Sequence, residues 1–404
     1  MQASPFRDYC LSPEIDRQAA VERLARLRQV LKANQIGAAI YFDAVNIRYA
    51  CGVRNMQINT TRNPGRYVFV PVHGPVVLFE YKGCVHLADG YPTVDETRLA
   101  RGVHPFYAGD HHGEQLSAFI QDVRELMRRC GLEGERLGIE RAPVDVVPAL
   151  MAAGFRVVDA SITIDRAKSI KTPTEMQLVR ASVAGTEAAV AFMEQALLPG
   201  RTENEVFAEL NRALIANGGE YVETRLFNSG HRTNPWFQET SNKVIEAGEL
   251  VCLDTDAIGC HGYYTDMSRT FLAGQGRATD RQRELYGLAY DQLQHNMALL
   301  KVGLSFREFS EKAWPIPAPY VDHRYSCPVH GNGMTGEYPV LRFHDNFHIS
   351  GQEGYFEANM TVCVESFVGD RDGGEGVKLE EQVLITSQGV ERLTTYPYES
   401  RLLA

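Results

Sequence analysis

Three aspartates stand where the interior of a β-hairpin should be. Residues 250–272 read LVCLDTDAIGCHGYYTDMSRTFL, two β-rich runs flanking the turn Gly259-Cys260-His261-Gly262. Asp254 and Asp256 are two apart on the first run, so both side chains leave the same face of a strand. Counted back from the turn, Asp266 falls opposite or nearly opposite Asp256. Cross-strand neighbours are about 5 Å apart at Cβ, like charges at that spacing repel, and Asp is a poor strand residue. Such a hairpin calls for a cation.

The pattern recurs further on. Residues 361–367 (TVCVESF) and 378–386 (KLEEQVLIT) flank a turn-rich stretch, and place Glu365 on the first run and Glu380 and Glu381 on the second. Between the two hairpins lies Val329-His330-Gly331-Asn332-Gly333, whose glycines let backbone approach a site closely. Any one of these acids alone reads as an edge residue or a partner of Lys or Arg, and one HGxG as a turn. The joint pattern reads as a ligand set: Asp254, Asp256, Asp266, His330, Glu365 and Glu380. Five carboxylates and one imidazole suit two divalent ions of the Fe, Mn, Zn or Co kind, bridged by carboxylates and a water or hydroxide.

The elements that must position these residues follow from periodicity. Residues 16–34 carry Ala20, Val21, Leu24, Leu27, Val30 and Leu31 at helical spacing, and a short apolar strand follows at 37–42. Residues 67–72 and 76–80 flank His73-Gly74-Pro75 as a strand pair, 114–130 form a second amphipathic helix, and 136–140 and 155–159 read as strands. This part contains no Gly-rich phosphate loop. The polar stretch 166–174 (RAKSIKTPT) marks a boundary, and Thr174 with Gln177 reads as a capping box for a helix running to about Leu198. Thr202 with Glu205 opens the next helix, and a third runs from near Thr279 to about Lys301.

With 404 residues, two domains are expected. A net charge of −10 argues against nucleic acid as a partner, because phosphate binding needs clustered Lys and Arg. No apolar run is long enough to span a membrane. Residues 1–13 lack a basic n-region and an apolar h-region, and the eight cysteines contain no CxxC pair; both point to the cytoplasm and to free thiols.

The order Asp-x-Asp, Asp, HGxG, Glu in TVCVES and Glu in KLEEQVL resembles the creatinase/aminopeptidase, or pita-bread, superfamily, and the similarity extends over nearly the whole chain. The resemblance implies an α+β protein of two domains: a small α/β N-terminal domain (1–165) and a pita-bread catalytic domain (166–404). It implies a homodimer acting on a small-molecule substrate. Within the superfamily, Glu223-Thr224-Arg225, residues 232–239 (RTNPWFQE) and Asp254-Thr255-Asp256 look like the dimethylsulfoniopropionate lyases. In those enzymes both acids of the Asp-x-Asp pair are ligands, and a tyrosine five residues before the metal histidine lies in the active site; here it is Tyr325. They carry a basic Asp six residues after that histidine, where this chain has Gly336; the neighbouring Glu337 is expected either to reach the same space and fill that role or to be a solvated loop acid. Xaa-Pro peptidases are similar but have a single Asp in the first motif and a second His where Glu337 stands. Creatinase has a catalytic His at the position of Thr233.

The implied chemistry is β-elimination. The metal pair would hold a substrate carboxylate and acidify the adjacent C–H, and Glu337 or Tyr325 would take the proton. A sulfonium or ammonium head would rest on Trp236, Tyr325 or Tyr264; for Trp236, plain core packing is the competing account. The alternative activity is metal-dependent hydrolysis of the Xaa-Pro dipeptidase or aminopeptidase type. A binding module that had lost catalysis would be expected to have lost ligands, and all six are present.

Overall fold

The computed structural model describes residues 4–403, and the chain divides into two compact units. One spans Ser12–Lys168; the other comprises Ser169 onward together with the described residues up to Leu11. The division thus lies three residues beyond the expected boundary, and the first segment of the chain belongs with the larger unit. There Tyr9 donates its N–H to the Asn217 carbonyl (3.1 Å), and Leu11 donates to His261 Nε2 (2.7 Å).

The smaller unit is a six-stranded sheet of β1 (Ala38–Tyr41), β2 (Tyr67–Pro71), β3 (Val77–Glu80), β4 (Glu96–Leu99), β5 (Arg136–Glu140) and β6 (Arg156–Asp159), in the order β4-β3-β2-β1-β5-β6. Strand β2 is antiparallel to both β1 and β3, β4 is parallel to β3, and β5 and β6 continue parallel to β1. The helix His112–Arg129 turns Phe119, Val123, Leu126 and Met127 into a core with Ile40, Phe69, Phe79 and Leu137, the stripe its sequence period demands.

The larger unit begins with the helix Pro173–Gln195. Its cap is Thr172, not Thr174: Thr172 accepts the Glu175 N–H, the Glu175 side chain returns the bond, and Pro173 takes the first helical position, where its missing N–H costs nothing. The boxes at Thr202/Glu205 and Thr279/Gln282 open the helices Glu203–Ala216 and Asp280–Leu299 as expected.

Three sheets accompany these helices. One joins β7 (Tyr221–Val222), β10 (Ala257–Ile258) and β11 (Tyr264–Thr265), and another joins β8 (Phe227–Ser229), β9 (Leu250–Asp254) and β12 (Ser268–Leu272). The third orders β14 (Gly336–Val340), β13 (Val329–Asn332), β15 (Thr361–Gly369), β16 (Gly376–Thr386) and β17 (Gly389–Arg392). Helix Asp280–Leu299 supplies Leu285, Tyr286, Ala289 and Leu293 to a core shared with Val362, Val364, Leu379, Val383 and Ile385, the residues of β15 and β16 that face away from the acids. That core holds one face of the hairpin fixed while the other carries charge.

Candidate metal centre

The acid-bearing hairpin is broken where the acids stand. Ser268 pairs with Asp254 at the end of one ladder, and Ala257 pairs with Thr265 at the start of the next. Between them Thr255, Asp256, Asp266 and Met267 leave the strands. Thr255 bridges the gap: its hydroxyl donates to the Thr265 carbonyl (2.9 Å) and accepts the Met267 N–H (3.0 Å). Asp256 takes a left-handed backbone conformation, φ +38°, which Asp tolerates better than most residues. The break brings oxygens of Asp254, Asp256 and Asp266 within 4.8 Å of one another, all three residues buried.

On the second hairpin Glu365 lies directly opposite Glu380, a like-charge pair that is repulsive by itself. His330, on the neighbouring β13, points Nε2 at Glu365 Oε1 (3.2 Å), Asp266 Oδ2 (3.5 Å) and Glu380 Oε1 (3.7 Å). Its Nδ1 is 3.0 Å from the Gly331 carbonyl, which accepts an Nδ1–H and leaves Nε2 free to face the acids. Ligand atoms of Asp266, His330, Cys363 and Glu380 also lie within 4.8 Å of one another, so Asp266 is common to two groups. The structure therefore brings all six sequence-assigned ligands together. Glu381 points to the opposite face of β16, where it pairs with Arg269 (2.8 Å) and Arg392 (2.9 Å).

Lys378 was missed by the sequence reading. Its side chain is fully buried, with Nζ 2.6 Å from Glu365 Oε2, 3.1 Å from Glu380 Oε2 and 3.4 Å from Asp254 Oδ2, and it donates to Ser268 Oγ at 2.7 Å. The signal was available: Lys378 is two residues before Glu380 and so shares its strand face. The cation that the acids call for is thus supplied in part by the chain itself. Fully ionised, five carboxylates against one ammonium would leave four negative charges, which two divalent cations would match.

Two oxygens test whether this site fits metal. Asp266 Oδ1 and Glu380 Oε1 are buried and have no hydrogen-bond partner, an arrangement that costs free energy unless something else satisfies them. Carboxylate and imidazole donors converging on orphaned oxygens fit a hard or borderline divalent ion. The electrostatics agree. Burial, then the charges of Glu380, Asp256 and Asp254, push the Asp266 carboxyl well above its ordinary range, and burial and Asp254 push Asp256 up to about 7. Burial opposes charge on His330, but Glu365 and Glu380 outweigh it and hold the imidazole well above its usual value. Burial and the charges of Glu380, Asp266 and Glu365 raise the Cys363 thiol.

The remaining predicted residues fall differently. The Tyr325 ring centroid lies 4.5 Å from Lys378 Nζ and that of Trp236 6.0 Å, so the cation beside those two faces is the protein's own. Trp236 is buried against Phe367, in keeping with the packing account, whereas Tyr325 is half-buried and stacks on the exposed Phe237. Tyr264 does not offer a free face: it is buried and its hydroxyl donates to Asp256. Glu337 is buried rather than solvated, accepts the Met334 N–H (2.9 Å) and pairs with Lys171 (3.5 Å). Gly336 and Glu337 are adjacent on β14 and face opposite ways, and a Cβ at Gly336 would lie 3.9 Å from His330 Nδ1. The expectation that Glu337 reaches the space of an acid at 336 is corrected on that ground.

A metal-binding fold of paired hairpins beneath long helices has known counterparts. Residues 177–387 match the model of metallopeptidase family M24, and residues 23–170 match the creatinase/prolidase N-terminal domain. The chain belongs to family M24, with the two-domain creatinase-like architecture, and is a metal-dependent enzyme of the lyase or hydrolase kind. It is 34% identical over 386 residues, 94% of its own length and 86% of the relative's, to the dimethylsulfoniopropionate lyase DddP of Roseovarius nubinhibens. It is 28% identical over 229 residues, 56% of this chain and 63% of the other, to the Xaa-Pro dipeptidase of Pyrococcus furiosus. Among solved structures, the Xaa-Pro dipeptidase of Bacillus anthracis superposes with a TM-score of 0.74 at 22% identity, covering 94% of this chain and 99% of that one. Among the described residues no helix is long and apolar enough to cross a membrane.

Proposed function

We propose that this chain is a dinuclear metal enzyme that cleaves a C–S bond by β-elimination, taking a small sulfonium carboxylate such as dimethylsulfoniopropionate. The observation that carries the reading is the Asp254-Thr255-Asp256 pair converging on Asp266, together with the full-length similarity to the lyase of Roseovarius nubinhibens. Asp254, Asp256 and Asp266 would hold one ion, and Asp266, His330, Glu365 and Glu380 the other. When bound, the ions act as Lewis acids toward a substrate carboxylate and make the adjacent C–H more acidic.

The rest falls to the chain's own side chains. Lys378 and Ser268 hold Glu365 Oε2, Glu380 Oε2 and both oxygens of Asp254, so that Glu365 Oε1 and Glu380 Oε1 keep their aim. Tyr325, half-buried at the margin of the acids with Lys378 Nζ 4.5 Å from its ring centre, takes the proton from the carbon next to the carboxylate as its phenolate, a form that burial and the uncompensated acids oppose and that bound cations would favour; Glu337, paired with Lys171, does not. As that C–H bond breaks, its electrons form the C=C bond and the C–S bond opens, giving acrylate, dimethyl sulfide and one proton. Phe237, exposed and stacked on Tyr325, supplies apolar surface for the methylated sulfur. All eight cysteines are free, which suits the cytoplasm, and a homodimer is part of this proposal.

Metal-loaded protein given dimethylsulfoniopropionate should release dimethyl sulfide into the headspace and acrylate into solution in equal amounts. Absence of both, with full metal occupancy, would overturn the lyase reading. The similarity to Xaa-Pro dipeptidases supports hydrolysis as the second reading, in which the same centre stabilises the oxyanion of an amide under attack by water. Turnover of Xaa-Pro dipeptides without any elimination product would favour it.

A further inference from the structure

We infer that Cys363 is a sulfur ligand of the metal centre, on the side of His330, so that this chain binds one of its ions through mixed oxygen, nitrogen and sulfur donors. The inference rests on the metal centre of the proposed function and adds to it a donor of a different chemical kind. Cys363 lies on β15 two residues before Glu365 and therefore on the same face, directly across from His330 on one side and Gln382 on the other. Its Sγ is one of the four ligand atoms, with those of Asp266, His330 and Glu380, that lie within 4.8 Å of one another. The residue is fully buried.

Two independent observations bear on the space beside that sulfur. Asp266 Oδ1 and Glu380 Oε1, both in the same group of four, are buried without a hydrogen-bond partner. The sulfur is also arranged to accept: Asn332 Nδ2 donates to it at 3.3 Å, and Gln382 Nε2 donates to Asn332 Oδ1 at 2.9 Å, which holds that amide with its N–H on the sulfur. The outlet for its own proton, the Asp266 carbonyl, is 3.8 Å away. On binding, the S–H proton leaves to solvent as the sulfur–metal bond forms, with no change of oxidation state. A coordinated thiol is deprotonated outright, and sulfur favours zinc or cobalt over manganese relative to an all-oxygen site.

The test loads metal-free full-length protein with Co²⁺ and reads the near-ultraviolet absorption of a cobalt–thiolate bond, which carboxylate and imidazole ligands do not give. Wild type should show the band; Cys363→Ser and Cys363→Ala should bind cobalt and lack it. In competition, Cys363→Ser should lose at least tenfold of the wild-type preference for Zn²⁺ over Mn²⁺, on the order expected for replacing one soft donor. Stoichiometric cobalt without the band in wild type would overturn this inference and leave the proposed function standing, as would a band that survives in both variants. No cobalt uptake by wild type would overturn both.

Discussion

Replacing Lys378 by Met removes a buried ammonium while keeping chain length and apolar bulk, and the consequence depends on whether metal is present. At an effective dielectric of about 20, an ammonium oxygen contact near 3 Å is worth roughly 5–6 kcal/mol before desolvation is counted. Lys378 makes three such contacts, at 2.6, 3.1 and 3.4 Å. Most of that attraction is cancelled by the several kcal/mol needed to desolvate each ion, and breaking a buried ion network by removing one partner costs about 3–5 kcal/mol net. In the metal-free protein Lys378→Met should therefore lower Tm by roughly 5–10 °C. With both ions bound, the carboxylates keep cationic partners, so the loss should shrink to less than half of that, and Lys378→Arg, which retains the charge, should fall between wild type and Met in each state. The assay is thermal unfolding of the three proteins in chelator and in saturating metal. Equal Tm losses for Lys378→Met in the two conditions would refute the reasoning, because they would mean that Lys378 contributes packing and not charge compensation.

Four further outcomes are expected. Tyr325→Phe should lower kcat by about 10²–10⁴-fold with metal content unchanged, measured by product release and metal analysis. Asp266→Asn, which alters the acid common to both ligand groups, should reduce bound metal from two ions per chain to one or none by elemental analysis. Glu337→Gln removes the charge that faces the buried Lys171 ammonium, so it should lower stability while the folded fraction keeps its kcat; a kcat loss without destabilisation would instead make Glu337 the base. Asp256 is a carboxyl whose folded value, about 7, lies above its ordinary 3.8. The folded, metal-free state thus binds the extra proton, and stability should fall as pH rises from about 4 through about 7. Metal competes with that proton, so Tm of the loaded protein should rise over the same range.

Much of this was legible in the sequence because strand alternation is rigid. Glu365 and Glu380 could be assigned to a shared face by counting, and the HGxG placed an imidazole beside them; for Asp254 and Asp256 the same count named the right neighbours although Asp256 lies outside the strand. The misses have physical causes. Lys378 was passed over because a lysine opening a strand normally reaches solvent, and only the packed face shows that its Nζ is enclosed. Glu337 was misjudged because its partner, Lys171, is far away in the chain, a separation that no local pattern reports. The break at Asp256 and Asp266 was unreadable for a similar reason: the two ladders belong to different sheets, and Thr255 holds the seam through tertiary hydrogen bonds. The cap at Thr172 was a local miss, since Thr172 and Thr174 both precede an acceptor at the right interval and Pro173 alone distinguishes them.

The alternation of Glu380 and Glu381 on β16 also bears on which insertions the protein can absorb. The turn at residues 370–375 is largely exposed and glycine-rich, so its length can vary while both strands keep their places. One residue added inside β16 would turn Glu381 inward and Glu380 toward Arg269, exchanging an ion-pair acid for a catalytic-centre acid without changing composition. Homologues of different turn length should thus retain an invariant spacing of two between the lysine position and the inward glutamate, a constraint set by strand parity rather than by chemistry.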